Sequence, residues 1–210
     1  MRLLLFLPLI CFSVTLQAAV VTFEDVAPTS PCGYGGSDPC LNSITTSEGF
    51  VFSDTTGPGV GEIYVKSGGP TGNYITTATF IENDASIRIS HVSGQAFDLH
   101  SMDINQYGES QQIFTDGTSV QGYDAANNLI ASLYVEPESG GWINLGFDSS
   151  WNFVHSVVLG SQYQSNDFGY GFLPPRLDNF SASVIPVPAT AWLLLSGLGL
   201  LGWLRRKQAV

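Results

Sequence analysis

Positive charge is scarce. The 210 residues hold seven Lys and Arg against 18 Asp and Glu, a formal net charge of −11. Arg2, Arg205, Arg206 and Lys207 lie at the chain ends, which leaves Lys66, Arg88 and Arg176 for everything between. All 18 acids fall between Glu24 and Asp178, where those three cations oppose them, a balance of −15. Such a surface repels phosphate backbones and other polyanions, which excludes nucleic acid as a partner. It suits an exported soluble protein, a divalent cation, or neutral and cationic glycans.

Cysteine and histidine are equally sparse, three of each. Cys11 lies in an apolar N-terminal run, so Cys32 and Cys40 are the pair left for the folded domain. Zinc would need two further ligands, and no His stands near them. A disulfide in an oxidising compartment is the expected use. It would close a small Gly-rich loop and shape that loop more than hold the fold.

Helical periodicity is missing before residue 189, and so are the usual catalytic signatures. There is no Gly-x-Ser-x-Gly elbow, His-Glu-x-x-His helix or phosphate loop. His91, His100 and His155 sit in expected strands without ligand spacing. Acid pairs such as Glu136/Glu138 or Asp98/Asp103 have the composition of a glycosidase site. Among 18 acids such pairs arise by chance. The expectation is a protein that is not an enzyme, with a polysaccharide hydrolase as the third reading.

What the chain does have is strand. Apolar and polar residues alternate in short runs separated by Gly, Ser, Thr, Asn and Asp. Expected strands are 20–24, 50–53, 61–65, 74–81, 86–91, 95–105, 111–123, 129–135, 142–145, 153–159 and 177–184. In 97–104 the apolar face passes from Phe97 and Leu99 to Met102 and Ile104. That phase change predicts a bulge near Ser101. Residues 124–128, Asp-Ala-Ala-Asn-Asn, predict a hairpin turn. Residues 27–48 and 161–170 read as loops. About 165 residues, 20–185, suffice for one core. The fold class is all-β, an antiparallel β-sandwich or jelly roll.

Terminal strands of a jelly roll often lie side by side, which would bring Phe23-Glu24-Asp25 to Leu177-Asp178-Asn179. Carboxylates and carbonyls meeting there suit hard calcium. The pattern resembles the structural calcium site of several carbohydrate-binding sandwich modules, and that resemblance implies Glu24 and Asp178 as ligands, with Asp25 third. The ordinary alternative is surface acids and turn caps. Sugar binding would need exposed aromatics beside polar groups. Tyr34, Tyr107, Trp142, Trp151, Tyr163 and Tyr170 are the candidates, although Trp142 and Trp151 flank a turn and are placed to pack on each other.

The two ends carry the long apolar runs. Met1-Arg2, then Leu3 to Leu16, then Gln17-Ala18-Ala19, form a secretory signal peptide, cut after Ala18 or Ala19. At the other end, Ala189 to Leu204 is 16 residues without a charge. As a helix it spans about 24 Å, short of the ~30 Å hydrocarbon core. It is a short C-terminal transmembrane helix, bounded by Pro186-Val187-Pro188-Ala189 and by the basic stop Arg205-Arg206-Lys207, which stays cytoplasmic.

This tail resembles the PEP-CTERM sorting domain of Gram-negative bacteria, with Val187 where that family usually has Glu. The resemblance implies an exosortase-type transpeptidase as partner and a transient stay in the inner membrane. It also implies delivery to the cell surface or extracellular matrix. The expected organisation is signal peptide 1–19, β-sandwich ectodomain 20–185 and sorting tail 186–210. The expected role is structural or adhesive in an exopolysaccharide matrix, with a calcium-stabilised carbohydrate-binding module as the alternative.

Overall fold

A computed structural model of the chain describes residues 18–27, 41, 43–55, 61–79, 86–105, 117–136, 141–160, 162–166, 169–173 and 176–186. Residues Ala18–Ile185 form one compact unit. Its strands, in order, are β1 (Ala19–Val21), β2 (Ser43–Thr45), β3 (Phe50–Asp54), β4 (Gly61–Ser67), β5 (Asn73–Thr79), β6 (Ile87–His91) and β7 (Phe97–Asn105). There follow β8 (Thr118–Tyr123), β9 (Leu129–Val135), β10 (Trp142–Gly146), β11 (Ser156–Leu159), β12 (Gln162–Asn166), β13 (Gly169–Leu173) and β14 (Arg176–Val184).

Two six-stranded sheets result. One runs β10-β7-β14-β5-β4, with β1 also beside β14; the other runs β2-β3-β6-β11-β8-β9, and β12 and β13 form a separate hairpin. The named strand pairs are antiparallel. This is the all-β sandwich that the alternation implies. In β6, Ile87 and Ile89 are buried while Arg88 is not; in β8, Thr118, Val120 and Gly122 face in. Period-two burial of this kind is how a strand with one solvated face meets a core.

Phenylalanines join the two sheets. Phe180 of β14 lies edge-on to Phe50 at 5.0 Å and to Phe52 at 5.7 Å, both from β3. Phe97 of β7 meets Phe50 at 5.4 Å, and Phe23 meets Phe52 at 4.9 Å. All five are completely buried. Edge-to-face pairs contribute about 0.5–1.5 kcal/mol each beyond the area they bury.

The expected phase change in β7 is a real bulge. Its register with β14 steps from Ser101↔Ser181 to Leu99↔Ala182, which leaves His100 as the extra residue. A second irregularity, not anticipated, lies in β14 itself between Asp178 and Ser181, where Asn179 takes φ 48°. The hairpin turn at 124–128 is present. The Asp124 carboxylate accepts from the Ala126 and Asn128 N–H groups at 2.9 and 2.8 Å, and Asn127 takes φ 62°.

Several expectations are corrected. The stretch 27–48 contains β2, and the polar-aromatic stretch 161–170 contributes to the β12–β13 hairpin. β11 starts at Ser156 rather than Phe153, because a 3-10 turn at Ser149–Trp151 and a positive φ at Phe153 interrupt the run first. Glu24 and Asp25 lie in a turn beyond β1, because Phe23 takes φ 60°. Cys32, Cys40, the signal segment 1–17 and Val187 to Val210, including the expected helix, lie outside the described residues. Among the described residues, no helix is long and apolar enough to cross a membrane.

Candidate functional site

β14 has β7 along one edge. Its other edge is divided: β5 pairs at Leu177↔Ile75 and β1 pairs at Phe180↔Val21 through Ala182↔Ala19. Asp178 and Asn179 fall in the gap between those two partners, where the second bulge sits. Two turns meet there. One follows β1 and contains Phe23–Val26; the other joins β4 to β5 through Gly68–Gly72.

Two of the three proposed calcium residues converge on the second turn. Asp178 is fully buried. Its Oδ2 accepts from the Thr71 N–H at 3.2 Å, both its oxygens accept from the Thr71 hydroxyl at 3.0–3.1 Å, and Oδ1 accepts from the Asn179 N–H at 2.7 Å. Glu24 Oε1 accepts from the Asn73 N–H at 2.5 Å, and the Asn73 amide donates back to the Phe23 and Val26 carbonyls. Asp25 goes elsewhere and accepts from the Ser47 N–H at 3.3 Å. Burial pushes the Asp178 carboxyl above the usual carboxylate range, against the pull of the Thr71 and Asn179 donors, and nearby Asp103 adds to the rise.

The turn is cut to receive those two carboxylates. A Cβ on Gly69 would stand 2.6 Å from Asp178 Oδ2, and one on Gly72 2.5 Å from Glu24 Oε1. Gly72 also takes φ +134°. Two carboxylates are hard oxygen ligands of the kind calcium takes, and the groups that face them here are N–H and hydroxyl donors. Among the described residues, no group of three His, Cys, Asp or Glu is placed to hold a metal.

The outer face of the same sheet holds a second constellation. Trp142 pairs with Asn105, and Asn105 with Arg176; Asn144 pairs with Asp103, and Asp103 with Asp178. Tyr74 of β5 and Trp142 of β10 start three strands apart, yet their rings meet at 5.6 Å. The rings therefore lean toward each other over β7 and β14. The Arg176 guanidinium lies 5.2 Å from the Tyr74 ring centre. Lys66 stands opposite Tyr74 across the β4–β5 ladder. Asp103 is held on both sides, by the Asn144 amide at 2.6 Å and the Asn179 amide at 2.7 Å. Tyr74 and Asn105 are buried under this cover, Trp142 and Arg176 are half-buried, and Asn144 is exposed.

Trp151 is 5% exposed and packs on Phe147 at 4.7 Å, so it belongs to the core and does not meet Trp142. Tyr34 and Tyr107 lie outside the described residues, as do the side chains of Tyr163 and Tyr170. Of the acid pairs, Asp98 accepts from the Phe153 N–H and Asp103 from its two amides, while Glu138 of the other pair lies outside the described residues. His100 Nε2 lies 2.7 Å from Ser183 Oγ, but Ser183 is 4% exposed, which keeps a substrate away from that hydroxyl. Tyr74, Asn105, Thr71, Asn73 and Arg176 were not singled out by sequence. The one signal for Arg176 was its rarity, as one of three cations between the chain ends.

A crystal structure of a DUF4465 family protein from Bacteroides caccae superposes with TM-score 0.51 at 11% identity, over 80% of this chain and all of that one. At that identity the likeness is one of fold alone. A family 29 carbohydrate-binding module from Piromyces equi overlaps at TM-score 0.40 and 11% identity, over 82% of this chain and 93% of its own. The K2 cleaved adhesin domain of Lys-gingipain overlaps at 0.41 and 10%, over 80% and 98%. No curated protein matches the chain in sequence. Residues 184–208 match the PEP-CTERM protein-sorting motif, so the chain is that of an exported protein carrying this sorting signal at its C-terminus.

Proposed function

We propose that the chain is the precursor of a non-enzymatic surface or extracellular-matrix protein with a structural or adhesive role among exopolysaccharides. The sorting motif at 184–208 carries this reading. In it, residues 1–19 direct export, the tail helix holds the precursor briefly in the inner membrane of a Gram-negative cell, and an exosortase-type transpeptidase acts near Pro186-Val187-Pro188-Ala189. The test is the mass of the mature protein from cells with and without that enzyme. Loss of the tail only when the enzyme is present supports the reading; an intact C-terminus in both removes it.

A calcium-stabilised carbohydrate-binding module is the second reading, favoured by one observation. Glu24 and Asp178 close on the same glycine turn from two different strand ends. In this reading calcium is structural: Glu24 and Asp178 hold it and tie the chain's two terminal strands to the β4–β5 turn. Asp25, bonded to Ser47, is not part of that set. A melting temperature that EDTA lowers and excess calcium restores is the expected result; indifference to EDTA removes calcium.

A further inference from the structure

We propose that the outer face of β10, β7, β14 and β5 binds a neutral polysaccharide chain, with Trp142 as the stacking platform. Asn144, Asp103 and Arg176 would be the hydroxyl-binding groups. This rests on the matrix reading above and gives it a site and a ligand class.

Three observations carry it. The first is charge. Between the chain ends there are three cations, and two of them, Lys66 and Arg176, stand beside Tyr74 on this face. Asp98, Asp103 and Asp178 alternate onto the same face. With two of the domain's three cations the face is still less acidic than the rest of the domain, which suits an uncharged ligand and disfavours a polyanion.

The second is pre-organisation. Sugars present apolar ring faces and a rim of hydroxyls, so their sites combine aromatic surface with a few fixed polar groups. Trp142 is already braced against Tyr74, and Tyr74 against Arg176. Asp103 is held by two amides, and Asn144 stays exposed beside it. Ordering these side chains in the free protein reduces the entropy lost on binding.

The third is length. The accessible groups, Trp142 and Asn144 on β10 and Arg176 on β14, span two interstrand steps. At about 4.8 Å per step that is roughly 10 Å, longer than a single sugar ring and suited to a chain.

The experiment is affinity electrophoresis of the purified full-length protein in detergent. Gels contain hydroxyethyl cellulose, galactomannan or dextran as neutral probes, and alginate as the anionic one. Expected is retardation by at least one neutral gel and none by alginate. Trp142→Ala should weaken that binding about tenfold or more, the loss typical of a central aromatic contact. Asn144→Ala, at an exposed position, tests the same face should Trp142→Ala fail to fold. Phe153→Ala, at a 64% exposed aromatic outside this face, should bind as wild type. Unchanged binding in folded Trp142→Ala and Asn144→Ala overturns the site, as does a wild type that no neutral gel retards. Retention of the protein in isolated matrix, measured alongside, separates the two levels. Retention without gel binding sinks the face alone, and absence from matrix and surface sinks the reading beneath it.

Discussion

Asp178 is a buried carboxylate whose burial raises its affinity for a proton. The folded state therefore holds that proton more tightly than the unfolded chain. Its contribution to stability is fully present below the ordinary carboxylate value and is lost as pH rises through the raised folded value. Asp178→Asn removes the ionisation and keeps a side-chain acceptor for Thr71. In EDTA, the variant's melting temperature should gain on wild type as pH rises from about 4 to 7. With calcium present the order should reverse, since the variant lacks one of two carboxylates. A difference between the two proteins that ignores both pH and calcium would refute this account of the residue. Gly72 offers a second test. Its φ of +134° and the nearby Glu24 oxygens leave no room for a methyl group. Gly72→Ala should cost about 1–3 kcal/mol in denaturant unfolding.

At the scale of elements, the β8–β9 hairpin was legible because its turn chemistry is local. Asp124, Asn127 and Asn128 lie within five residues, and Asp124 satisfies the turn's own N–H groups. The Asn128 amide, first, and these backbone donors hold the Asp124 carboxyl below its usual value. That stabilisation is present above the ordinary carboxylate value and fades as pH falls through the lowered one. Asp124→Ala should lower the melting temperature at neutral pH, with the gap to wild type closing in acid; a gap that persists at low pH would contradict it. The β7 bulge was legible for a related reason, since Phe97/Leu99 and Met102/Ile104 must both face the core. The β14 bulge was not. Asp178-Asn179 reads as part of an ordinary run, and the break follows from sharing one edge between β5 and β1. β12 and β13 were missed because Gln, Ser, Asn and Gly dilute their strand pattern.

At the scale of the molecule, the two sheets are joined through Phe180, which meets Phe50, Phe52 and Phe97. Phe180→Ala should cost about 3–5 kcal/mol in urea unfolding, the range for a buried aromatic leaving a cavity. A loss below 1 kcal/mol would mean that the core closes without it. The sequence by itself determined the sorting tail, the acidic balance and the all-β class, because each is written in composition or in patterns a few residues long. It also named Glu24 and Asp178 together, and each of them reaches the turn between β4 and β5. The tertiary structure alone decided that Asp25 turns to Ser47, that Trp151 is core, and that Trp142 meets Tyr74. Those contacts join residues distant in sequence, and they depend on strand order and register, which no local pattern encodes.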